Sequence, residues 1–342
     1  MSAANPRLVV FTEREEGPVC GVDEKTIVAA GGELRFGIAA NQAERLRLAE
    51  RAEVLLVSSA PITREFMSAL PRLKGVVRSG IGVDTVDVDA ATDLGVMVAN
   101  VRNFCLDEVS EHALALMLAV TRKIVYADRM IRRGGWVAGV QESLLPMRRL
   151  SGRTLGLVGF GQIARRMALR AKAFGLEVLA SDPYVSPETA GALGVQLLPL
   201  AELLPKSDFI SLHVPLTPET HHLINDNAFA LMKPGAILIN VARGPVVDET
   251  ALERALAEGR LAGAGLDVLE EEPIKIPHPL LRFENVVMTC HYASCSLEAY
   301  AEMRRVMSEQ AAQILRGEFP KYLVNPQVKN LPQCKLQAPP QG

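Results

Sequence analysis

The stretch MTCHYASCS, residues 288–296, places His291 between Cys290 and Cys295. A histidine among thiols could begin a soft metal site, accompany a redox pair, or act as a proton donor with sulfur neighbours. A metal site needs further ligands, and no second CxxC or HxxxH pattern in the chain supplies them. A metal site is therefore disfavoured, and the nine residues alone do not decide the role of the histidine. The two cysteines are interpreted as its small, buried neighbours.

A second chemical pattern is GFGQIA, residues 159–164, which lies between an apolar strand-like run and a helix-forming stretch. Gly159 and Gly161 allow a tight turn and a close approach of a pyrophosphate to the backbone. The free N–H groups at the helix start, at Gln162 and Ile163, attract its negative charge. This context predicts a dinucleotide site.

The next strand-like run, LEVLASD, ends in Asp182, at about the twenty-residue spacing where an acid accepts hydrogen bonds from an adenosine ribose. A carboxylate there repels a 2'-phosphate, which favours NAD over NADP. Asp182 could instead cap the turn SDPY. Arg165 and Arg166 lie nearby and are expected on a solvated helix face.

The composition indicates a packed protein with a small-molecule ligand. Its 342 residues predict two domains, at roughly 150 residues each. Lys and Arg number 37 against 39 Asp and Glu, and this balance offers no electrostatic basis for binding nucleic acid or anionic lipid.

Two features bear on the compartment. Five cysteines, at positions 20, 105, 290, 295 and 334, are odd in number and scattered, unlike a disulfide framework. The N-terminus lacks a signal-peptide pattern, and the apolar stretch 113–120 is far shorter than the ~20 residues that span a bilayer. A cytoplasmic protein is expected.

Short apolar runs alternate with helical stretches on both sides of residue 107. The runs are 7–11, 34–38, 53–58, 75–80 and 95–100, and later RTLGLVGFG, LEVLASD, DFISLHV, GAILINVA, AGAGLDV and NVVMTCH. This alternation predicts parallel sheets covered by helices.

Two long helices are also predicted. From Asp107, a plausible N-cap, to about Gly134, apolar residues recur at helical spacing, which predicts one long helix that bridges the domains. Another helix is expected at about 297–316. The tail from about 326 is expected to be disordered.

Seven stretches together resemble the D-isomer-specific 2-hydroxyacid dehydrogenase family in order, spacing and residue type, over nearly the whole chain. They are VVRSGIGVDTVDVDAA (76–91), EVSEHALALMLAVTRK (108–123), LVGFGQIARRMA (157–168), HVPLTPETHHLIN (213–225), NVARGPVVDETAL (240–252), GAGLDVLEEEP (263–273) and His291. VDVDAAT and CLDEVSEHALALMLA are most similar to the branch that contains the C-terminal-binding proteins.

The resemblance implies an α/β fold of two doubly wound parallel-sheet domains, with a Rossmann NAD-binding domain inserted in a flavodoxin-like substrate domain. The implied substrate domain is residues 1–101 plus 297–326, the NAD-binding domain is 102–296, and 327–342 is a tail. It also implies a homodimer formed through the NAD-binding domain. The long helix and the arm around Trp136 are the candidate interface, although Trp136 could instead be a core residue.

The resemblance assigns three catalytic residues. Arg243 corresponds to the substrate-binding arginine, and a planar guanidinium can grip carboxylate and carbonyl oxygens together. His291 corresponds to the general acid and Glu272, the last acid of EEEP, to its partner, which stabilises the imidazolium and fixes the nitrogen that faces the substrate. The alternatives are that Arg243 is an ordinary surface arginine, His291 a core histidine and Glu272 a loop carboxylate.

The remaining site residues follow from the same motifs. Backbone N–H groups at Ile81 and Gly82 are expected to meet the substrate carboxylate. Arg78 could add charge there or pair with an acid. Expected cofactor contacts, besides those of the glycine motif and Asp182, are Val214, Pro215, Thr220, Ala242 and Asp267, the last of which holds the nicotinamide carboxamide. His213, His221 and His222 are interpreted as loop residues, and no metal is expected.

The resemblance implies an NAD-dependent reductase of a small 2-keto acid, such as glyoxylate, hydroxypyruvate or pyruvate, to the D-2-hydroxy acid. One alternative is an NAD(H)-sensing, corepressor-like interaction protein on the same fold. Another is a phosphite or formate dehydrogenase. Glu272 speaks against formate dehydrogenases, which carry glutamine there, and Ile81 stands where phosphite oxidisers carry lysine.

Overall fold

The computed structural model describes residues 7–14 and 22–336. The chain forms two compact units. One takes in the described residues up to Phe104 together with those from Ser296 onward, and the other is Cys105–Cys295. The domain boundaries expected after residues 101 and 296 lie close to these positions.

In its described residues, 7–14, 22–104 and 296–336, the first unit forms six strands, four short helices and one long helix. In chain order these are β1 (Arg7–Phe11), β2 (Glu13–Arg14), α1 (Glu24–Ala29), β3 (Gly32–Ile38), α2 (Gln42–Ala49), β4 (Ala52–Val57), α3 (Arg64–Ser68), β5 (Gly75–Arg78), α4 (Val88–Asp93) and β6 (Met97–Asn100). The long helix comes from the end of the chain and is numbered α13 below.

Among the described strands, the sheet of the first unit has the order β2-β3-β1-β4-β5-β6, in which only β2 pairs antiparallel. Its five parallel strands follow the flavodoxin-like arrangement. Every residue of β4 and β6 is buried, which explains their mainly apolar sequences, in which Glu53 and Asn100 are the polar exceptions. The order in which successive strands are added to the sheet reverses between β1 and β4.

The second unit contains the other helices up to α12 and a seven-stranded sheet. Its elements are α5 (Leu106–Thr121), α6 (Ile124–Arg132), α7 (Val140–Ser143), β7 (Thr154–Val158), α8 (Gln162–Ala173), β8 (Glu177–Ser181), α9 (Pro187–Gly191), β9 (Gln196–Leu197), α10 (Leu200–Leu203), β10 (Phe209–Leu212), α11 (Asp226–Leu231), β11 (Ala236–Asn240), α12 (Glu249–Ala257), β12 (Leu261–Leu266) and β13 (Val286–Met288).

The second sheet is parallel throughout, in the order β13-β12-β11-β10-β7-β8-β9. This is the Rossmann order with one added strand, and its direction reverses between β7 and β10. The fold class predicted for both domains is therefore confirmed.

The last helix, α13 (Leu297–Arg316), packs in the first unit. Its Gln310 side chain donates to the Asn100 carbonyl at 3.0 Å, and its Ser308 hydroxyl accepts from the Asp23 amide at 2.8 Å. A side chain at Gly75 would collide with Ile314. The chain end thus completes the domain that its beginning starts.

The single long helix predicted from Asp107 to Gly134 is wrong. Lys123 adopts a left-handed backbone conformation, with φ of 51°, which ends α5 and starts α6. Asp107 is not the N-cap either, because the helix is preceded by Cys105. Asp107 instead forms ion pairs with Arg166 and Arg170 of α8.

The disorder predicted for the tail is wrong for residues 327–336, whereas residues 337–342 lie outside the described chain. A 3-10 helix spans Pro326–Asn330, and its Val328 is fully buried. The Lys335 amide donates to the Gly95 carbonyl at 3.0 Å. These contacts hold the segment in place within the first unit.

Across residues 7–14 and 22–336, no helix is long and apolar enough to cross a membrane. In the same ranges no three His, Cys, Asp or Glu side chains converge as metal ligands. Among the described residues no disulfide joins the cysteines at 105, 290, 295 and 334, and Cys20 lies outside the described residues.

Candidate active site

The predicted catalytic and cofactor residues of the second unit all lie in segments that follow the carboxyl ends of its parallel strands, with Gln162 and Ile163 in the first turn of α8. The glycine motif follows β7, Asp182 follows β8, residues 213–220 follow β10, Arg243 follows β11, Asp267 follows β12 and His291 follows β13. In an open α/β sheet this edge, where the strand order reverses, is where ligands bind.

The glycine loop has the room that a pyrophosphate needs. Gly159 has a φ of 87°, and a Cβ there would lie 2.7 Å from the His213 carbonyl oxygen. Gly161 is the N-cap of α8, and a Cβ on it would meet nothing within 4 Å. Since no side chain caps the helix, the amides at Gln162 and Ile163 fit an anionic group.

Asp182 connects the glycine loop to the turn after β8. One carboxylate oxygen accepts from the Phe160 amide at 2.8 Å and the other from the Tyr184 amide at 2.9 Å. The bond to Tyr184 is the cap of the turn SDPY that was considered as an alternative role for Asp182, and the bond to Phe160 is additional to it. Arg165 is not on a solvated face as expected, because its Nε donates to the Phe160 carbonyl at 3.0 Å; Arg166 pairs with Asp107.

The loop after β10 is closed by a threonine. The Thr220 hydroxyl donates to the Pro215 carbonyl at 2.6 Å and accepts from the Thr217 amide at 2.8 Å. Val214 lies against the glycine loop, with its Cγ1 3.0 Å from the position of a Cβ on Gly159. These contacts bring two predicted cofactor segments together.

Glu272 and His291, the pair that the family resemblance implies, are hydrogen-bonded to each other. His291 Nδ1 lies 2.6 Å from Glu272 Oε2, and the other Glu272 oxygen accepts from the Leu269 amide at 3.0 Å. The neighbouring acids pair elsewhere, Glu270 with His222 and Glu271 with Lys275. Geometry thus selects one acid from the run of three.

Burial acts to raise the pKa of Glu272, but hydrogen bonds from His291 and the Leu269 amide, with the charge of Arg243, outweigh it. The pKa of Glu272 therefore lies below its usual value, and the side chain is a carboxylate at neutral pH. A carboxylate accepts only, so Nδ1 of His291 carries a hydrogen and Nε2 faces away from Glu272.

The loop of His291 is anchored by Asp267, which is almost completely buried. The Asp267 carboxylate accepts from the Thr289 hydroxyl at 2.6 Å and from the amides of Tyr292 and Ala293 at 3.1 and 2.9 Å. Its carbonyl accepts from the His291 amide at 2.8 Å. These bonds occupy most of its acceptor positions, and its contact with a nicotinamide stays a prediction.

The cysteines beside His291 are not buried, contrary to expectation. Cys290 and Cys295 are both exposed, as is His291. The loop that carries them is short and lies at the edge of the sheet, so only its anchoring residues are covered.

The predicted substrate loop lies in the first unit. The Ile81 carbonyl accepts from the Asn100 side chain at 2.6 Å. Within the described residues, the amides of Ile81 and Gly82 have no hydrogen-bond partner. The guanidinium of Arg78 folds over Gly80, where any Cβ would collide with it. Free amides beside a cation suit a carboxylate, although the binding role of this loop stays a prediction.

Comparison with known proteins decides the family. Residues 114–293 match the sequence model described as "D-isomer specific 2-hydroxyacid dehydrogenase, NAD binding domain". The chain belongs to the D-isomer-specific 2-hydroxyacid dehydrogenase family. It is 43% identical over 268 residues to a glyoxylate reductase of Korarchaeum cryptofilum, covering 78% of this chain and 81% of that protein.

Two further similar proteins in this dehydrogenase family are named for different substrates. A D-3-phosphoglycerate dehydrogenase of Methanocaldococcus jannaschii is 40% identical over 92% of this chain, which spans only 59% of that protein's length. The solved D-lactate dehydrogenase of Aquifex aeolicus, in complex with NAD and lactic acid, has a TM-score of 0.80 and 30% identity, covering 92% of this chain and 98% of its own. The predicted family is confirmed, and the second unit binds a nicotinamide dinucleotide.

Three positioning residues of this family member were missed from sequence. The buried Asn240 accepts from the Ala242 amide and donates to the Arg243 carbonyl, at 3.0 and 2.9 Å, and so shapes the arginine loop. A Cβ on Gly244 would lie 1.8 Å from the Leu269 carbonyl oxygen, so only glycine lets the Arg243 and Glu272 loops meet.

The third missed residue is His112, on α5. Its Nε2 lies 2.9 Å from the Thr289 hydroxyl, and its ring meets the Tyr292 ring edge-on at 4.9 Å. The only signal in the sequence was a histidine within an apolar helical stretch, which by itself names no partner.

The burial of His213 predicts a pH-dependent stability for this family member. Burial lowers the pKa of His213 from 6.5 to about 4, and its Nε2 lies 2.9 Å from the Ser211 hydroxyl. From pH 6.5 down to about 4, the unfolded chain binds a proton that the folded chain does not, so stability falls as pH falls. We expect His213→Gln to remove about 2 kcal/mol of the loss in unfolding free energy between pH 7 and pH 5.

Urea unfolding of both proteins at the two pH values measures this difference. His221→Gln, the same substitution at an exposed residue of the same loop, is the control. Equal pH dependence in wild type and His213→Gln would contradict the expectation.

Proposed function

We propose that this protein reduces a small 2-keto acid to the D-2-hydroxy acid with NADH. The observation that carries the proposal is the Glu272–His291 pair at 2.6 Å, close enough to Arg243 for the arginine's charge to lower the pKa of Glu272. A cation, a proton donor and a dinucleotide loop on one sheet edge are what hydride transfer to a carbonyl requires.

Each side chain has one task in this mechanism. The bound nicotinamide supplies the hydride. The guanidinium of Arg243 holds the substrate carboxylate and polarises the carbonyl oxygen. His291 donates a proton from Nε2 to the oxygen as its negative charge develops, while the Glu272 carboxylate holds Nδ1 and stabilises the imidazolium. In the reverse direction His291 accepts that proton.

The cofactor is proposed to be NAD in preference to NADP. Asp182 is fixed at the end of β8 by the amides of Phe160 and Tyr184, so its negative charge stays where a 2'-phosphate would lie. A similar structure, the Aquifex aeolicus D-lactate dehydrogenase, holds NAD.

A homodimer is proposed through the arm that follows α5. Trp136 is 72% exposed, so the core alternative does not hold within this chain. Ile124, Ile131, Val137 and Leu145 are also exposed in this segment. A partner subunit that covers them would remove apolar surface from water.

A spectrophotometric assay tests the activity. Loss of NADH absorbance with glyoxylate, hydroxypyruvate and pyruvate should reveal turnover of at least one acid, at about 1–1000 per second. The names of the relatives divide between glyoxylate and phosphoglycerate, so phosphorylated hydroxypyruvate belongs in the panel. A folded, NADH-binding protein that reduces none of these acids would refute the proposal.

A further inference from the structure

The carboxylate of Glu13 lies in a cradle of three consecutive backbone amides. Its Oε2 accepts from the Ser58 amide at 2.7 Å, and its Oε1 accepts from the amides of Ser59 and Ala60, both at 2.7 Å. The Ser59 hydroxyl adds a bond of 3.1 Å to Oε1. Successive N–H groups that converge on one point form an anion-binding site.

The cradle lies where the first sheet should bind a ligand. Ser58 directly follows β4, and Glu13 comes two residues after β1 ends. These two strands are neighbours, and the strand order reverses between them. The crevice at such a reversal is the usual ligand site of an open α/β sheet, and here a side chain of the chain itself fills it.

Glu13 has no cation to neutralise it within the described residues, since every bond to its carboxylate comes from an amide or a hydroxyl. Two consequences follow. The cradle amides are fully used by an internal anion, and the full negative charge remains at the sheet edge.

The cradle adjoins the loop expected to bind the substrate carboxylate. The Ser58 hydroxyl lies 2.8 Å from the Ser79 hydroxyl, and the Ser79 amide donates to the Val57 carbonyl at 2.8 Å. Ser79 begins the loop that contains Ile81 and Gly82. A substrate held by that loop therefore has Glu13 and its cradle beside it.

We propose that Glu13 is a specificity-determining residue that restricts the protein to 2-keto acids whose side chain carries no second anionic group. This inference rests on the proposed function and narrows its substrate class. Glu13 takes the only three-amide cradle seen at this edge in the described chain, and its charge repels a phosphate or a second carboxylate.

The test compares hydroxypyruvate with phosphorylated hydroxypyruvate in wild type, Glu13→Ala and Glu13→Gln. Wild type should favour the unphosphorylated acid in kcat/KM by about a hundredfold. Glu13→Ala should raise the phosphorylated-to-unphosphorylated ratio by about tenfold or more, because the cradle becomes free and the repulsion is lost. Glu13→Gln, which loses only the charge, should move the ratio in the same direction.

The matched control is Glu44→Ala, because Glu44 also accepts a backbone amide, that of Ala40 at 2.9 Å, but at the start of α2. It should leave the ratio at the wild-type value. If Glu13→Ala and Glu13→Gln both lower the two activities in proportion, Glu13 only fixes the loop and the inference is wrong. Efficient wild-type turnover of the phosphorylated acid overturns it as well.

Calorimetric titration with inorganic phosphate tests the cradle without any turnover. With NADH present to occupy the glycine loop, saturable phosphate binding to Glu13→Ala beyond any seen with wild type supports the inference, and equal binding by the two folded proteins overturns it. If no protein reduces any 2-keto acid, the proposed function fails, and the titration still decides the anion site.

Discussion

Replacing Arg243 by alanine is expected to lower kcat/KM for keto-acid reduction by about a thousandfold, while NADH still binds. Arg243 supplies the positive charge for the substrate carboxylate and the developing oxyanion. Its backbone is held by Asn240, so the side chain can be removed without loosening the loop. Steady-state kinetics with the acid found in the panel, and calorimetric NADH titration, measure the two effects.

Two further variants make this result specific. Arg243→Lys keeps the charge but loses the planar fork, and should fall between alanine and wild type. Arg254→Ala removes an arginine paired with Asp226 on the surface of the same unit, at 2.6 Å, and should not reduce turnover. If Arg243→Ala retains a tenth or more of wild-type activity, Arg243 does not bind the substrate.

His291→Asn is expected to lower the reduction rate by about a thousandfold with little change in NADH affinity. Asparagine is the better replacement than alanine because His291 has a φ of 54°, a left-handed conformation that asparagine tolerates. Glu272→Gln should lower the rate by about a hundredfold, because it leaves the proton donor but removes the charge that holds it.

The two residues act as a unit, so the double variant should be no slower than His291→Asn alone. Multiplied losses in the double variant would mean that they act separately. His278→Asn is the matched control, since His278 forms a comparable pair with Glu249 at 3.2 Å.

The contribution of Glu272 to the stability of the protein should decrease at acidic pH. Because the pKa of Glu272 is lowered in the folded protein, its contribution to stability is present above the usual value of 4.5 and is lost as pH falls below it. Removing Arg243 removes one of the charges that lower this pKa, so the folded-state pKa of Glu272 should move back toward 4.5 and the stability lost on acidification should be smaller in Arg243→Ala.

Much of the fold follows from sequence because its strands are buried on both faces. Runs such as LVVF and VLLV predicted β1 and β4 almost to their ends. The break at Lys123 could not be predicted, since lysine carries none of the turn signals of glycine, asparagine or proline. The two-residue strands β2 and β9 are too short to show any periodicity.

For the site, the motifs name the residues but not their partners. The family resemblance, together with the spacing to Pro273, singled out Glu272 and His291, whereas the bonds of Asp267 to residues 289–293 depend on how two loops approach in space. Glu13 is the clearest case. Nothing near it in the sequence indicates that its carboxylate meets amides more than forty residues later.

The left-handed backbone at His291 has a consequence for how such a protein can change. An L-residue other than glycine pays roughly 1–2 kcal/mol for this conformation, and glycine does not. Selection for stability alone would therefore favour glycine at this position, but the substitution would remove the imidazole. The loop's bonds to Asp267 offset this strain. If the Asp267 contacts were weakened, the strain at His291 would therefore lower the stability of the protein before activity was lost.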